Sequence, residues 1–295
     1  MKHAIFTGSA CAMVTPFDEG GKPDLRTLGQ LIDWHLAAGT AALVMCATTG
    51  ECATLTDHEW ETIIAYSLQR VDGSIPVLAG VGKNDTAHTL DLAQRAQKLG
   101  AQGVLAVTPY YNKTTQSGLI RHYLTIAEGA DIPMILYNVP SRTGLSIQAE
   151  TYRTLSEHPN IYGTKEASGD FGLILKTRAL CPTDFALYSG NDDQIIPVMA
   201  LGGIGVISTM ANVIPAETAE ICRLWTAGDP TAAASMQIRC QPLIEALFHE
   251  VNPIPVKAAL KKLKRIQGSV RLPLVEPGKN CDMMLTQALK SFALL

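Results

Sequence analysis

One lysine ends an otherwise apolar run, Ile161-Tyr162-Gly163-Thr164-Lys165. A lysine in that position is ordinarily a solvated strand end. Set in an apolar mouth, however, its charged form is disfavoured, and a neutral amine can attack a carbonyl carbon to form a Schiff base. The preceding apolar run, Pro133–Tyr137, ends in a tyrosine. If the two runs are neighbouring strands, their backbones stand ~4.8 Å apart. The Tyr137 phenol could then carry protons as a carbinolamine forms and dehydrates. Taken alone, Tyr137 reads as a packed aromatic.

Two further groups suit a small carboxylate. Thr48 and Thr49 precede Gly50, so hydroxyls and exposed backbone N–H groups can meet there, although a turn after two β-forming residues has the same pattern. Arg142 follows the Pro140 turn above the strand that Tyr137 ends. A guanidinium in that place either grips a carboxylate with two hydrogen bonds or faces water. Other chemistries find little support. The seven histidines are dispersed with no H-E-x-x-H spacing, and there is no G-x-S-x-G elbow or P-loop. Asp192-Asp193 reads as a polar strand-to-helix loop rather than a metal-binding pair. Lys261, Lys262, Lys264 and Arg265 read as a solvated helix end.

These groups need elements to carry them. Eight strand-type runs recur at roughly thirty-residue spacing: Ala10–Val14, Ala41–Cys46, Pro76–Ala79, Gly103–Val107, Pro133–Tyr137, Ile161–Lys165, Phe185–Tyr188 and Gly205–Ser208. Helix-type segments lie between them, including Asp24–Ala38, Asp57–Val71, Thr86–Leu99 and Gly118–Gly129. Asp24, Thr56 and Asp85 suit N-caps, with Glu59 completing a capping box, while Gly39, Gly100 and Gly129 mark helix ends. The pattern predicts an α/β fold, a (β/α)₈ TIM barrel, with a doubly wound open sheet as its rival. The strand count reaches eight and no G-x-G-x-x-G follows the first strand, which favours the barrel. The barrel is expected over residues 1–214 and a C-terminal helical region over 215–295, with helices at Pro215–Ala227, Thr231–Phe248, Pro255–Ile266 and Cys281–Leu294. Reactive groups of such a barrel gather at the C-terminal strand ends, which is where Thr48, Tyr137 and Lys165 fall.

Composition narrows the class further. Over 295 residues, 24 basic and 27 acidic side chains leave a net charge of -3, which gives no reason to propose a nucleic-acid or membrane-surface partner. Charged residues are only 17%, below the usual ~25%, consistent either with buried subunit interfaces or with ordinary variation. Seven scattered cysteines without a C-x-x-C pair suggest neither a disulfide framework nor a zinc site. Thr7, Gly8 and Ser9 interrupt the N-terminal apolar stretch, and no run approaches ~18 apolar residues, so the expectation is a cytoplasmic protein.

Together, the motifs resemble those of the pyruvate-dependent Schiff-base aldolase and lyase superfamily and, within it, the dihydrodipicolinate synthase family. The resemblance runs from Thr15-Pro16-Phe17 to Arg271-Leu272-Pro273-Leu274 and is carried by residues 48–51, 108–112, 137–144, 165–169 and 205–208 and by Asn252-Pro253-Ile254-Pro255-Val256-Lys257. It implies that pyruvate forms a Schiff base on Lys165 and that the resulting nucleophile condenses with L-aspartate 4-semialdehyde in the diaminopimelate and lysine pathway. Tyr137, Thr48 and Tyr111 would form a proton relay, with Tyr111 entering a neighbouring subunit's site in a homotetramer built as a dimer of dimers. Thr49 would hold the pyruvate carboxylate, Gly190 and Ile207 would line the pyruvate pocket, and Arg142 would bind the aldehyde's carboxylate. No metal or organic cofactor is implied.

Arg142 separates this reading from its nearest rivals, since sialic-acid and 2-keto-3-deoxy sugar-acid aldolases of the superfamily generally lack that arginine. A catalytically silent keto-acid-binding barrel is the rival from another class, and it would have no need of Lys165. Asp57, Trp60 and His88 depart from the pattern of lysine-inhibited members, whereas Asn84 and Tyr110 match it. Weak or absent inhibition by lysine is therefore expected.

Overall fold

The computed structural model describes residues 2–295. Eight parallel strands close into a barrel in sequence order: β1 (Gly8–Ala12), β2 (Ala42–Met45), β3 (Val77–Gly80), β4 (Gly103–Val107), β5 (Met134–Asn138), β6 (Ile161–Glu166), β7 (Ala186–Ser189) and β8 (Gly205–Ser208). Each expected run overlaps one of them, displaced at its ends by at most two residues. β8 pairs back onto β1, so the open-sheet alternative is excluded. That closure requires a bare backbone at Gly205, where a Cβ would stand 1.9 Å from the Gly8 carbonyl oxygen.

The helices are α1 (Leu25–Ala37), α2 (Asp57–Val71), α3 (Thr86–Leu99), α4 (Gln116–Gly129), α5 (Pro140–Thr143), α6 (Ala149–Ser156), α7 (Phe171–Leu180), α8 (Ile195–Ala200), α9 (Pro215–Thr226), α10 (Pro230–Leu247), α11 (Ile254–Lys262) and α12 (Lys279–Ser291). The Asp24, Thr56 and Asp85 side chains cap their helices as expected, and the Thr56–Glu59 box closes in both directions. Gly129 behaves differently from expectation. It lies inside the last turn of α4, and a Cβ there would come within 2.7 Å of Leu90, so its smallness serves helix packing rather than a left-handed cap. The unforeseen α7 lacks a clear apolar stripe: only Ile174 and Thr177 are buried, while Phe171, Leu175 and Leu180 are exposed. α11 stops earlier than expected, at Lys262.

Period-two alternation divides the core. Ala10, Ala12, Val44, Ile135, Tyr188 and Ile207 fill the barrel interior, while Cys11, Leu43, Met45, Met134 and Leu136 face the helices. Phe6 stacks on Tyr188 inside the barrel, with centroids 4.4 Å apart, and accepts the Tyr188 hydroxyl on its carbonyl at 2.7 Å. α9 packs on β1 and β8 in the outer ring, and α10 joins it to α12. All seven cysteines are free, six of them buried. Among the described residues, no helix is long and apolar enough to cross a membrane.

Candidate active site

Tyr137 and Lys165 are register partners on β5 and β6. Both positions point into the barrel, because the flanking Leu136 and Glu166 take the opposite phase. The Lys165 ammonium nitrogen lies 4.4 Å from the centre of the Tyr137 ring. Lys165 is only 4% exposed. Burial is the main cause that lowers its pKa to about 8; the Arg142 charge adds to the fall, and Asp192 and Cys11 oppose it. Burial likewise pushes Tyr137 up to about 12, against the pull of Arg142 and the Thr48 hydroxyl. The pair is therefore a shielded amine beside a protonated phenol at neutral pH.

β6 is anchored from behind. Glu166 accepts hydrogen bonds from Asn138 Nδ2 at 3.0 Å, Tyr152 Oη at 2.9 Å and Ser168 N at 2.8 Å. Asn138 directly follows Tyr137, so the same carboxylate ties the ends of both strands.

A cavity of about 490 Å³ opens above the pair, lined by Thr49, Tyr137, Arg142, Lys165, Gly190 and Asn252 among others. Thr48 lines an adjoining cavity of about 280 Å³ that shares Val139, Arg142 and Asn252 with the first. Gly190 permits a close approach, since a Cβ there would meet Ala167 at 2.6 Å. Ile207 is fully buried in the barrel-interior cluster with Tyr137 and does not line the cavity. Tyr111 stands apart. It is 92% exposed, with a φ of 69°, and lines neither of these two cavities.

Several residues of this region escaped the sequence reading. Asp192, read there as loop, is buried, and its Oδ2 accepts from the backbone N–H groups of Thr209 at 3.1 Å and Met210 at 2.7 Å. Asn252 donates to Thr49 Oγ1 at 2.9 Å, while its carbonyl accepts from Arg142 Nη2 at 2.9 Å. Lys257 makes a buried 2.7 Å ion pair with Glu51 and also donates to the carbonyls of Thr15 at 2.9 Å and Ser269 at 2.7 Å. It thereby fastens the C-terminal region to the loop bearing Thr48 and Thr49. The only sequence signal for these contacts was the Asn252–Lys257 segment itself. The basic cluster is partly engaged: Lys261 pairs with Glu276, Lys262 pairs with Asp282, and Arg265 covers the Trp34 ring. Among the described residues, no group of three His, Cys, Asp or Glu side chains is placed to hold a metal ion.

Near α2 and α3, His88 Nε2 lies 3.2 Å from Asp57 Oδ1, and Arg95 approaches the same carboxylate at 3.2 Å. Trp60 is buried, with its indole N–H donated to the Gly80 carbonyl at 2.8 Å.

The model of the dihydrodipicolinate synthetase family matches residues 5–292. Over 292 residues the chain is 47% identical to the 4-hydroxy-tetrahydrodipicolinate synthase of Thermoanaerobacter sp. (strain X514), covering 99% of this chain and 98% of that protein. The crystal structure of dihydrodipicolinate synthase from Thermotoga maritima superposes with a TM-score of 0.97 at 42% identity, covering 99% of this chain and 100% of that one. The lysine-bound enzyme from Cyanidioschyzon merolae superposes with a TM-score of 0.96 at 38% identity, again covering 99% and 100%.

Proposed function

The chain belongs to the dihydrodipicolinate synthetase family and is an enzyme with 4-hydroxy-tetrahydrodipicolinate synthase activity, and we propose that it works through a Schiff base on Lys165. The activity joins pyruvate to L-aspartate 4-semialdehyde. The observation that carries the proposal is the buried Lys165 amine against the Tyr137 ring, in a cavity whose wall also holds Arg142 and Thr49.

The chemistry follows from these groups. Neutral Lys165 adds to the pyruvate ketone, and the carbinolamine loses water to leave a protonated imine that accepts electrons. Tyr137 and Thr48, with Tyr111 from a neighbouring subunit, move the protons of these steps and take one from the pyruvate methyl group, giving an enamine. The enamine carbon bonds to the aldehyde carbon of the second substrate, whose oxygen gains a proton. The substrate's amine then adds to the imine carbon and displaces Lys165 as the ring closes. Thr49 holds the pyruvate carboxylate and Arg142 that of the aldehyde, so binding removes much of the entropic barrier to bringing the two together. Gly190 shapes the pyruvate end, whereas Ile207, expected beside it, packs in the barrel interior instead.

Tyr111 supports reading the protein as an oligomer with a shared site, and the family resemblance implies a homotetramer of paired dimers. A tyrosine held out at 92% exposure is accessible to a neighbouring subunit. Exposed Leu272 and Val275 are further apolar groups suited to a subunit contact. The cytoplasm is the compartment this reading assigns. Of the two expected units, 1–214 and 215–295, the first extends further, because α9 packs on β1 and β8 and completes the helical ring, leaving α10–α12 as the C-terminal helical region.

Borohydride reduction with pyruvate, followed by peptide mapping, tests the mechanism. A pyruvyl adduct on Lys165 is expected, and an unlabelled Lys165 overturns it. Condensation with aspartate semialdehyde, and no cleavage of sialic acid or a 2-keto-3-deoxy sugar acid, is the expected specificity.

A further inference from the structure

Asn252 lies between α10 and α11, outside the strands and helices of the barrel, yet it touches both groups assigned above to substrate carboxylates. Its side-chain amide donates to Thr49 Oγ1 at 2.9 Å, and its main-chain carbonyl takes Arg142 Nη2 at 2.9 Å. The residue is 6% exposed and lines the cavity over Lys165. Its Oδ1 has no hydrogen-bond partner among the described residues.

A threonine hydroxyl has one proton to give and two lone pairs to receive with. When Asn252 supplies a proton to Thr49 Oγ1, the Thr49 proton must go elsewhere. One direction is Thr209 Oγ1, at a long 3.5 Å. The other is the cavity, where a carboxylate would take it in a stronger, charge-assisted bond. We propose that Asn252 is a positioning residue that fixes Thr49 as a donor toward the pyruvate carboxylate. Its backbone carbonyl meanwhile holds Arg142 for the second substrate. The inference rests on the assignment of Thr49 to pyruvate.

Substituting Asn252 by Ala and by Asp separates polarity from packing. Asp has the shape of Asn but only accepts, so it draws the Thr49 proton away and sets a negative charge beside the ligand. N252A is expected to raise the pyruvate KM about tenfold, the loss of one hydrogen bond to a charged group, with N252D worse than N252A. The KM for aspartate semialdehyde and kcat at saturation should change by less than about threefold, because the Arg142 contact is to backbone. A space-filling role predicts the reverse order, since Asp fills the site and Ala does not. An unchanged pyruvate KM in N252A, or N252D binding pyruvate better than N252A, overturns the proposal. Should both variants fail to fold, T49V and T49S decide: the proposal demands that Val lose pyruvate affinity and Ser keep it. Borohydride trapping on the unaltered enzyme runs alongside. Failure to label Lys165 there sinks the Schiff-base assignment, whereas normal labelling with a normal N252A KM sinks only the role of Asn252.

Discussion

The Lys165 ammonium nitrogen sits 4.4 Å from the centroid of the Tyr137 ring, the two residues being register partners on β6 and β5. At that distance the ring face stabilises the cation, opposing the burial that lowers the pKa to about 8. The amine is thus held near the protonation state its chemistry needs.

The first prediction concerns pH. The neutral amine is the nucleophile, so kcat/KM for pyruvate should climb as pH rises toward about 8 and level off above it. The Asp192 charge raises the pKa of Lys165, so D192N should move this limb to lower pH. Asn can still accept from Thr209 N and Met210 N, which protects the fold. A pH–rate profile checks both statements, and a limb shifted upward in D192N would refute the second.

The second concerns lysine. The family resemblance makes Asp57, Trp60 and His88 the departures from lysine-inhibited members, and here each is engaged within the chain. Asp57 pairs with His88 and Arg95, and Trp60 is committed to the Gly80 carbonyl. No carboxylate is offered at position 88 to an amino group. Initial rates should therefore be unchanged by sub-millimolar L-lysine, and clear inhibition in that range would contradict the prediction.

The third concerns the buried pair. K257M leaves the Glu51 carboxylate enclosed with the Arg271 backbone N–H at 2.9 Å as its remaining close partner. Breaking one side of such a pair costs about 3–5 kcal/mol. Urea denaturation should show that loss, and a double change of Glu51 and Lys257 to apolar residues should cost less than the sum of the two single changes.

The fourth concerns acid. His35 is buried and held neutral, with its pKa lowered by burial to about 4. His122 is shifted in the same direction for the same reason. Each binds a proton more readily when unfolded, so their contribution to stability is complete above about pH 6.5 and is lost as pH falls toward 4. Denaturant midpoints measured across that window should fall steadily, and a flat profile would argue against both shifts.

Short-range pattern made much of this protein readable. Strand runs recur with a period the barrel requires, and helix caps such as Thr56–Glu59 are local chemistry. Lys165 was visible because a charged residue ended an apolar run, and Tyr137 because its run came just before. α7 was not visible, because its apolar residues do not form one stripe. The Gly129 error has the same origin: sequence shows a glycine near a helix end, but only packing shows Leu90 against it.

The long-range contacts were beyond such reading. Asn252 meets Thr49 across 203 positions, and Lys257 meets Glu51 across 206. Asp192, in sequence a loop acid, becomes a buried acceptor because the ends of β7 and β8 converge. Residue order determined the fold class, the candidate nucleophile and the kind of carboxylate-binding groups, since each of these is written in neighbouring residues. Three-dimensional packing alone determined the protonation bias of Lys165, the donor direction of Thr49 and the isolation of Tyr111. Burial and hydrogen-bond polarity depend on which distant segments close over a site, and no local pattern specifies that.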